Sequence, residues 1–307
     1  MRTHHPKNEF DAIVVGGSYA GLSAAMQLAR ARRRVLVIDA GQRRNRYARH
    51  SHGFLTQDGR EGSAIADDGR TQLRAYPNVT LQEGTATMAV ANDDGFSVTL
   101  HDGCVFQARR LVLATGVVDE LPSVEGLAER WGSSVFPCPY CDGYELEQSS
   151  IGVLATGPLS MHHAMMLPDW GQVTLFLNGA FDPDETQLAM LAQRGVVVER
   201  TPVTRISGKA DVLLGDGRSQ AMAGLFVLSR TYSGSPLAEQ LGCVLEQGPT
   251  GMYVRTDTQK ASTVAGVYCC GDAARIAPSV AFAVADGAMA GVAAHQSLIF
   301  GAVAAAA

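Results

Sequence analysis

The sequence predicts an α/β protein with two three-layer ββα domains, one inserted into the other. A buried strand, a glycine turn, a helix and a second strand follow one another over residues 11–39. Another α/β unit begins near Ser150, in the middle of the chain. Two further strands, at residues 111–113 and 266–270, each run into a small-residue turn, so the first domain resumes after the second. Repeated strand–helix–strand order is typical of parallel, Rossmann-like dinucleotide-binding domains.

Length and composition are typical of a globular protein of this size. The 307 residues correspond to about two domains. With 46% hydrophobic and 18% charged residues, the chain can bury large cores. A net charge of −5 without a long basic run argues against nucleic-acid binding. We place the first domain at residues 1–117 plus 249–307, and the inserted domain at residues 118–248.

Neither end of the chain predicts a signal peptide or a membrane span. Residues 1–10 are polar and lack an apolar signal-peptide core. Residues 280–307 are apolar, but Asp286 and His295 interrupt them, which favours a helix packed inside the protein. The protein is therefore expected in the cytoplasm, where a CxxC pair is more often catalytic than structural.

The most informative motif is a pair of cysteines separated by two residues. Residues 138–141 read Cys-Pro-Tyr-Cys, and Asp142 and Gly143 follow. Two thiols at this spacing can close a small disulfide ring and exchange two electrons with little rearrangement. A structural zinc site usually needs a second such pair or a histidine pair, and the adjacent Cys269 and Cys270 are a poor second half, so no metal site is predicted. The remaining cysteines are expected to be small buried residues: Cys104, Cys243, Cys269 and Cys270.

The turn after the first strand has the spacing of a dinucleotide-binding site. Residues 16–21 read Gly-Gly-Ser-Tyr-Ala-Gly, with Ser18 at the middle glycine position of GxGxxG. The outer glycines permit a tight turn and close backbone approach to a pyrophosphate, which the helix N-terminus attracts. Asp39 ends the second strand and can accept hydrogen bonds from a ribose. An ordinary tight strand–helix turn is the alternative. The predicted contacts in the turn are Gly16, Ser18, Tyr19, Ala20 and Gly21.

With these motifs the chain resembles the thioredoxin-reductase-like, FAD-dependent pyridine nucleotide-disulfide oxidoreductases along nearly its whole length. The resemblance implies that the first turn binds the ADP half of FAD. It also implies that the Ala-Thr-Gly turn at residues 114–116 marks the exit from the FAD domain, and that a later Gly-Asp motif holds the ribityl chain. The backbone at the start of the last helix would face the flavin's pyrimidine edge. The cofactor contacts so implied are Ala114, Thr115, Gly116, Gly271, Asp272, Ser279 and Val280.

A loop between the first domain's second strand and next helix also resembles a flavin-contacting segment of one subfamily. It includes Arg44 and Asn45 and then the string Ser-His-Gly-Phe-Leu at residues 51–55. His52 is assigned to the cofactor by this resemblance. It could act as an acid–base group there, or be a structural histidine beside the cofactor.

The inserted domain has a weaker nucleotide signature. Residues 155–160 read Ala-Thr-Gly-Pro-Leu-Ser, in which only Gly157 fits the GxGxxA turn that the resemblance implies for NADPH. An NADP site needs arginines after the next strand to pair with the 2′-phosphate. That position instead holds an amide and three acids, Asn178, Asp182, Asp184 and Glu185. The sequence therefore argues against ordinary NADP(H) binding, which would require Arg200 or Arg205 to reach the site.

The resemblance gives the CxxC segment its roles. Cys141 would meet the flavin, Cys138 would exchange with substrate, and Asp142 would shuttle protons to the thiolates. A helix-capping carboxylate is the alternative role for Asp142, and the two roles can coexist. The Cys-Pro-Tyr-Cys string and residues 51–55 resemble the enzymes that oxidise dithiols of gliotoxin-, holomycin- and romidepsin-type natural products. An aspartate directly after the second cysteine, Asp142 here, instead resembles thioredoxin reductases.

The leading hypothesis is an FAD-dependent enzyme that oxidises a small-molecule dithiol to an intramolecular disulfide through Cys138 and Cys141. Oxygen or another acceptor takes the electrons. The alternatives are an NADPH-dependent thioredoxin reductase, which runs the electrons the other way, and a non-catalytic redox-sensing flavoprotein. The resemblance implies a homodimer, and neither nucleic acid nor a membrane is expected as a partner. No motif identifies the substrate.

Overall fold

The computed structural model describes residues 8–302 and residue 305. The chain divides into two compact units. The first unit comprises residues 1–44, 63–118 and 231–307, and the second unit comprises residues 45–62 and 119–230. Of the chain ends considered above, residues 1–7, 303, 304, 306 and 307 lie outside the described residues.

Apart from a one-residue shift at Val118, the unit boundaries differ from the expected domain boundaries in two places. The first unit resumes at residue 231, not 249. The reason is that Thr231 pairs with the segment around Thr250 and Gly251, with its N–H donating to the Thr250 carbonyl at 2.8 Å. Residues 45–62, expected in the first domain, belong to the second unit.

The helices and strands follow the predicted alternating order. The strands are β1 (Glu9–Val15), β2 (Val35–Asp39), β3 (Val79–Glu83), β4 (Ala86–Asn92), β5 (Gly95–Leu100), β6 (Val105–Leu113), β7 (Val117–Glu120), β8 (Val135–Phe136), β9 (Ser150–Leu154), β10 (Gln172–Phe176), β11 (Val197–Glu199), β12 (Val203–Ser207), β13 (Asp211–Leu214), β14 (Ser219–Gln220), β15 (Gly224–Val227), β16 (Arg230–Ser233), β17 (Leu245–Gln247), β18 (Met252–Val254) and β19 (Val267–Cys269). The α-helices are α1 (Tyr19–Arg30), α2 (Gly62–Arg74), α3 (Pro139–Asp142), α4 (Ser160–Met166), α5 (Glu185–Gln193), α6 (Leu237–Gln240) and α7 (Val280–Phe300).

The first unit contains a seven-stranded sheet in the order β3-β2-β1-β6-β5-β4, with β19 also paired to β6. Strands β3, β2, β1, β6 and β19 run parallel, and β4 and β5 add an antiparallel edge. The central strand is a continuous apolar run, and all of Ala12, Ile13, Val14 and Val15 are buried. A parallel strand covered on both faces requires such a run.

Helix α7 packs against α1 across a row of small residues. A Cβ on Gly287 would overlap the carbonyl of Ala20, and a Cβ on Gly291 would overlap the carbonyl of Ala24. The two backbones can therefore approach closely only because these positions lack a side chain. Residues 280–300 of the apolar C-terminal stretch thus form a helix that packs on α1 with one face, while its opposite face is exposed. Across the residues that the structure describes, no helix is long and apolar enough to cross a bilayer.

The second unit is a smaller parallel sheet in the order β11-β10-β9-β15-β8. A three-stranded antiparallel sheet, β12-β13-β14, accompanies it. Its largest fully buried side chains include Phe176 and Phe226, with Ile151 and Leu154 of β9. The predicted α/β class with two Rossmann-like domains is confirmed.

Candidate active site

The turn between β1 and α1 is built on glycines that admit no side chain. Gly16 has a φ of +105°, and a Cβ there would overlap the carbonyl of Ala114. A Cβ on Gly21 would overlap the carbonyl of Gly16. Ser18 stands at the N-cap of α1 in an extended conformation, which explains why glycine is not needed there. Its side chain makes no capping bond, and no acidic residue lies in the first helical turn.

Asp39 lies beside this turn, at the end of β2. A Cβ on Gly17 would lie 2.6 Å from the Asp39 Cβ, so the absence of a side chain lets the carboxylate approach the turn. Arg70 of α2 donates to Asp39 Oδ2 at 2.7 Å and to the Gly17 carbonyl at 3.0 Å. Arg70 therefore ties the acid to the turn.

The other first-unit residues implied by the resemblance line a second part of the same unit. Arg44 Nη1 donates to Asp272 Oδ2 at 3.1 Å, and both side chains are 19% exposed. These two residues line a cleft together with Val117 and Arg275. Ser279 is the N-cap of α7 and accepts a hydrogen bond from the Phe282 N–H at 3.4 Å.

Gly116, Asn45 and His52 are three further residues that the resemblance implies as flavin contacts. Gly116 adopts a φ of +64°, which the turn after β6 requires, and its carbonyl accepts from the Gly234 N–H. Asn45 is the first residue of the second unit and donates to Ser51 Oγ at 3.4 Å. His52 also lies in the second unit, beside the CxxC segment.

The two cysteines lie at the start of a single helical turn. Cys138 is the N-cap of α3, and Pro139 occupies its first turn. The Cys141 N–H donates to the Cys138 carbonyl at 3.2 Å. A hydrogen bond from Cys141 lowers the pKa of the Cys138 thiol, and the Cys141 and Tyr140 N–H groups lower it further against the opposing effect of burial.

An aromatic contact supports this turn from outside. The Tyr140 and Trp170 rings meet edge to face, with centroids 5.4 Å apart and an interplanar angle of 89°. A Cβ on Gly143 would lie 2.8 Å from the Trp170 indole, so the glycine lets the indole pack against the end of α3. Tyr140 itself is 72% exposed beside the cysteines.

Asp142 holds a proton unusually tightly for a carboxylic acid. Burial raises its pKa from 3.8 to about 7, Glu145 raises it as well, and the charge of His52 opposes them. Asp142 is the last residue of α3, whose N-cap is Cys138, so the alternative of an N-terminal capping carboxylate is wrong. A carboxyl group that titrates near neutral pH can both donate and accept a proton.

His52 reaches this turn from a distant part of the sequence. Its Nδ1 lies 2.8 Å from the Cys141 carbonyl oxygen, and its Nε2 lies 3.5 Å from Glu145 Oε1. The structure therefore brings Cys138, Cys141, Asp142 and His52 together within the second unit.

The turn between β9 and α4 uses most of its backbone donors internally. The Thr156 N–H donates to Ser160 Oγ at 3.0 Å, and the N–H groups of residues 160–162 donate to the carbonyls of Gly157, Pro158 and Leu159. Pro158 has no N–H to offer. A pyrophosphate is normally bound by such donors at a helix N-terminus.

The arginines that could have completed an NADP site are already paired with acids. Arg200 Nη1 lies 2.6 Å from Asp182 Oδ1, and Arg205 Nη1 lies 4.0 Å from Glu125 Oε1. Asn178 accepts from the Val203 N–H at 2.9 Å. Asp184 caps α5 by accepting from the Gln187 N–H. Asp182 therefore pairs with the nearby Arg200, and Asp184 caps α5, so both acids take part in contacts within the second unit.

Comparisons with known proteins find matches over most of the chain. The family described as pyridine nucleotide-disulphide oxidoreductase matches residues 10–289. The chain belongs to this family. It is 32% identical to thioredoxin reductase sirT of Leptosphaeria maculans over 303 residues, which cover 92% of each protein.

Two solved structures are similar over nearly the whole chain. An oxidoreductase from Agrobacterium tumefaciens is 54% identical, with a TM-score of 0.93 over 95% of this chain and 99% of that one. The crystal structure of HlmI is 33% identical, with a TM-score of 0.89 over 96% of this chain and 94% of that one. The predicted family and the prediction of an oxidoreductase are thus confirmed.

Family membership also confirms FAD as the cofactor, with NADPH the usual second cofactor in the family. The first unit fits an FAD nucleotide, because the β1–α1 turn has no side chain at Gly16 or Gly21 and the helix behind it has no capping side chain. A pyrophosphate there would meet backbone N–H groups and the positive end of the helix dipole. Asp39 would accept hydrogen bonds from the ribose. Asp272 lines the cleft described above, together with Arg44.

Two residues that contact the site, Arg70 and Glu145, were not predicted from the sequence. Arg70 lies 31 residues from Asp39 and Glu145 lies 93 residues from His52, and no local motif marks either residue.

The expectation of buried cysteines is wrong for Cys104, which is exposed in the turn between β5 and β6. Among the described residues, no group of three or more potential ligands is placed to hold a metal ion.

The raised pKa of Asp142 predicts a pH-dependent stability difference. Because the folded pKa of about 7 exceeds the ordinary 3.8, its protonated form stabilises the fold below about pH 4, and this contribution is lost as pH rises to about 7. The unfolding free energy of wild type relative to Asp142→Asn should fall by at most about 4 kcal/mol across that range. Urea unfolding at both ends of the range measures it.

The matched control is Glu129→Gln, at an exposed acid of the same unit. Its difference from wild type should change little with pH. A difference between wild type and Asp142→Asn that stays constant with pH would contradict the assignment of this pKa.

Proposed function

We propose that this protein oxidises a small-molecule dithiol to an intramolecular disulfide with FAD as the cofactor. The observation that carries the proposal is the closed β9–α4 turn, in which Thr156 and residues 160–162 donate their N–H groups within the protein. Internal pairing of Arg200 with Asp182 weakens the same site for a 2′-phosphate. Electrons then enter most readily through the dithiol.

The exchange begins with the disulfide between Cys138 and Cys141. A substrate thiolate attacks Cys138 Sγ, forming a mixed disulfide and releasing Cys141 as a thiolate. The second substrate thiolate attacks the substrate sulfur of that mixed disulfide, which releases the oxidised substrate and Cys138 as a thiolate. The substrate has lost two electrons, and the cysteine pair has gained them. FAD, when bound, supplies the two-electron acceptor that restores the disulfide.

The environment of the cysteines suits these steps. The lowered pKa of Cys138 makes it a good leaving group in the final exchange, because a less basic thiolate departs faster. Asp142, with a pKa of about 7, can take a proton from an incoming thiol and return it to a cysteine. The exposed ring of Tyr140 offers an apolar surface for a small substrate beside the pair.

A thioredoxin reductase is the second candidate, and two observations favour it. Asp142 directly follows Cys141, as the family resemblance implies for those enzymes, and the relative from Leptosphaeria maculans carries that name. The two candidates share the dithiol chemistry and differ in the electron source. A non-catalytic redox sensor would show the same disulfide without steady-state turnover.

The wider setting of the reaction follows from the same proposal. We assign FAD to the domain predicted at residues 1–117 and 249–307, and the dithiol to the inserted domain. Oxygen or another acceptor would take the electrons from FAD, and the enzyme would act in the cytoplasm.

We also propose that the protein is a homodimer that uses the outer face of α7. Apolar side chains on that face recur at intervals of seven, three and seven residues, which places them on one side of the helix. Four of them are 43–54% exposed, namely Phe282, Met289, Val292 and Ile299. A second copy of the chain presents the same self-complementary face about a two-fold axis.

Met289→Glu should convert such a dimer to a monomer, because it places a charge in the centre of the apolar face. Light scattering coupled to gel filtration measures the mass. Val90→Glu is the control, since Val90 is 50% exposed on β4 and should leave the mass unchanged. A monomeric wild type, or a dimeric Met289→Glu variant, would refute the interface.

The proposed order of the two cysteines predicts which thiol accumulates a mixed disulfide. In a Cys104→Ser background, Cys141→Ser should form an adduct on Cys138 with cystamine, because no second thiol can displace it. Cys138→Ser should react roughly tenfold more slowly. Its remaining thiol, that of Cys141, is not at the N-cap of α3, where the Tyr140 and Cys141 N–H groups stabilise a thiolate. Intact-mass spectrometry over time measures both.

The parent Cys104→Ser protein is the control and should accumulate no adduct, because Cys141 resolves it. Both single variants should lose turnover with dithiothreitol. A faster adduct on Cys141 than on Cys138 would reverse the assigned order, and turnover that survives both substitutions would refute the function.

A further inference from the structure

We propose that His52 and Glu145 form a charge pair that positions Cys141 and controls when Asp142 takes up and releases its proton. The inference rests on the proposed function only in requiring that the cysteine pair exchanges electrons. It holds for either direction of electron flow. His52 and Glu145 are positioning residues in this proposal, because they act through Cys141 and Asp142.

The contacts of His52 indicate which ring nitrogen donates to the Cys141 carbonyl. A carbonyl oxygen can only accept, so the 2.8 Å contact with the Cys141 carbonyl requires a proton on Nδ1. In a neutral ring Nε2 would then carry a lone pair and face the Glu145 carboxylate, 3.5 Å away. Two acceptors facing each other repel. The imidazolium removes this conflict, because both of its nitrogens donate.

The loop that carries His52 is closed on itself, which holds the ring in place. Ser51 is buried, its N–H donates to the Arg60 carbonyl, and its carbonyl accepts from the Gly59 N–H. The Gly53 N–H donates to Asp58 Oδ1 at 2.8 Å. The imidazole is thus fixed between two anchored residues, and its bond to the Cys141 carbonyl fixes the end of α3.

Charges of opposite sign then act on the half-buried carboxyl of Asp142. Among the described residues of the second unit, the groups that act on Asp142 are His52 and Glu145, and Asp142 in turn acts on Cys138. A positive His52 favours the ionised carboxylate, whereas Glu145 favours the protonated acid. Burial favours the protonated form of Asp142, and the charges of His52 and Glu145 change the pH at which that proton is released.

The exposure of the pair argues against a mainly structural role. The side chains of His52 and Glu145 are 20% and 45% exposed. An ion pair this accessible to water contributes little to folding stability. Its electrostatic effect on the neighbouring Asp142 carboxyl is less screened, because that carboxyl is half-buried.

The test measures the pH at which Asp142 titrates in FAD-loaded variants. His52→Asn keeps a donor for the Cys141 carbonyl and removes the charge, so the midpoint should rise by roughly 1 pH unit. Glu145→Gln removes the negative charge, so the midpoint should fall by a similar or smaller amount. A residue that mattered only for structure would not move the midpoint in opposite directions.

Two readouts separate this proposal from the proposed function. Difference infrared spectroscopy follows the protonated carboxyl band of Asp142, which Asp142→Asn identifies by its loss, and requires no turnover. Anaerobic reduction of the flavin by dithiothreitol should show a pH limb that moves in the same directions. Failure of reduction with a normal infrared titration would refute the function and leave the charge pair intact.

His162→Asn is the matched control, because His162 is exposed on α4 of the same unit and should leave the midpoint unchanged. If His52→Asn does not fold, the downward shift in Glu145→Gln alone remains decisive. Unchanged midpoints in the charge variants, or shifts of both in one direction, would overturn the proposal.

Discussion

Burial of the Asp142 carboxyl beside the dithiol is the constraint on which the rest of the site depends. Removal from water raises its pKa to about 7, where the group can exchange protons with thiols at neutral pH. The charge of His52 opposes this rise in the pKa, and that of Glu145 adds to it. The hydrogen bond between the thiols acts on the other partner, since it lowers the pKa of Cys138. Together these shifts bring an acid and a thiol closer in proton affinity, which favours proton transfer between them.

The two strand–helix turns show how one topology can serve different chemistry. In the first unit, Gly16 and Gly21 leave no room for side chains, and Ser18 does not cap the helix. In the second unit, Ser160 accepts from the Thr156 N–H and Pro158 removes another donor. The fold of a nucleotide-binding unit is thus retained after β9, while the backbone donors that would bind a phosphate are used internally. This difference supports electron entry from a dithiol.

Much of the fold and of the first turn could be predicted, because those signals are local. The β1–α1–β2 unit lies within residues 9–39, and its apolar runs and glycines determine each element directly. The contacts of His52 and Arg70 could not be predicted in the same way. Each joins groups far apart in sequence, and the pairing depends on packing that no motif encodes. The pKa of Asp142 likewise follows from burial, which single-sequence spacing does not give. The return boundary near residue 231 was missed because the pairing of Thr231 with Thr250 is a tertiary contact.

The most direct test of electron entry through the dithiol is the anaerobic reduction of the FAD-loaded protein in a stopped-flow spectrometer. The oxidised enzyme is mixed separately with dithiothreitol, NADPH and NADH, and the loss of flavin absorbance is followed. Dithiothreitol should bleach the flavin rapidly and saturably, and Asp142→Asn should slow that reaction. Both nicotinamides should react slowly even at millimolar concentration, because the β9–α4 turn offers few donors and Arg200 is paired with Asp182. Fast, saturable bleaching by NADPH with a micromolar constant would contradict dithiol oxidation and favour a thioredoxin reductase.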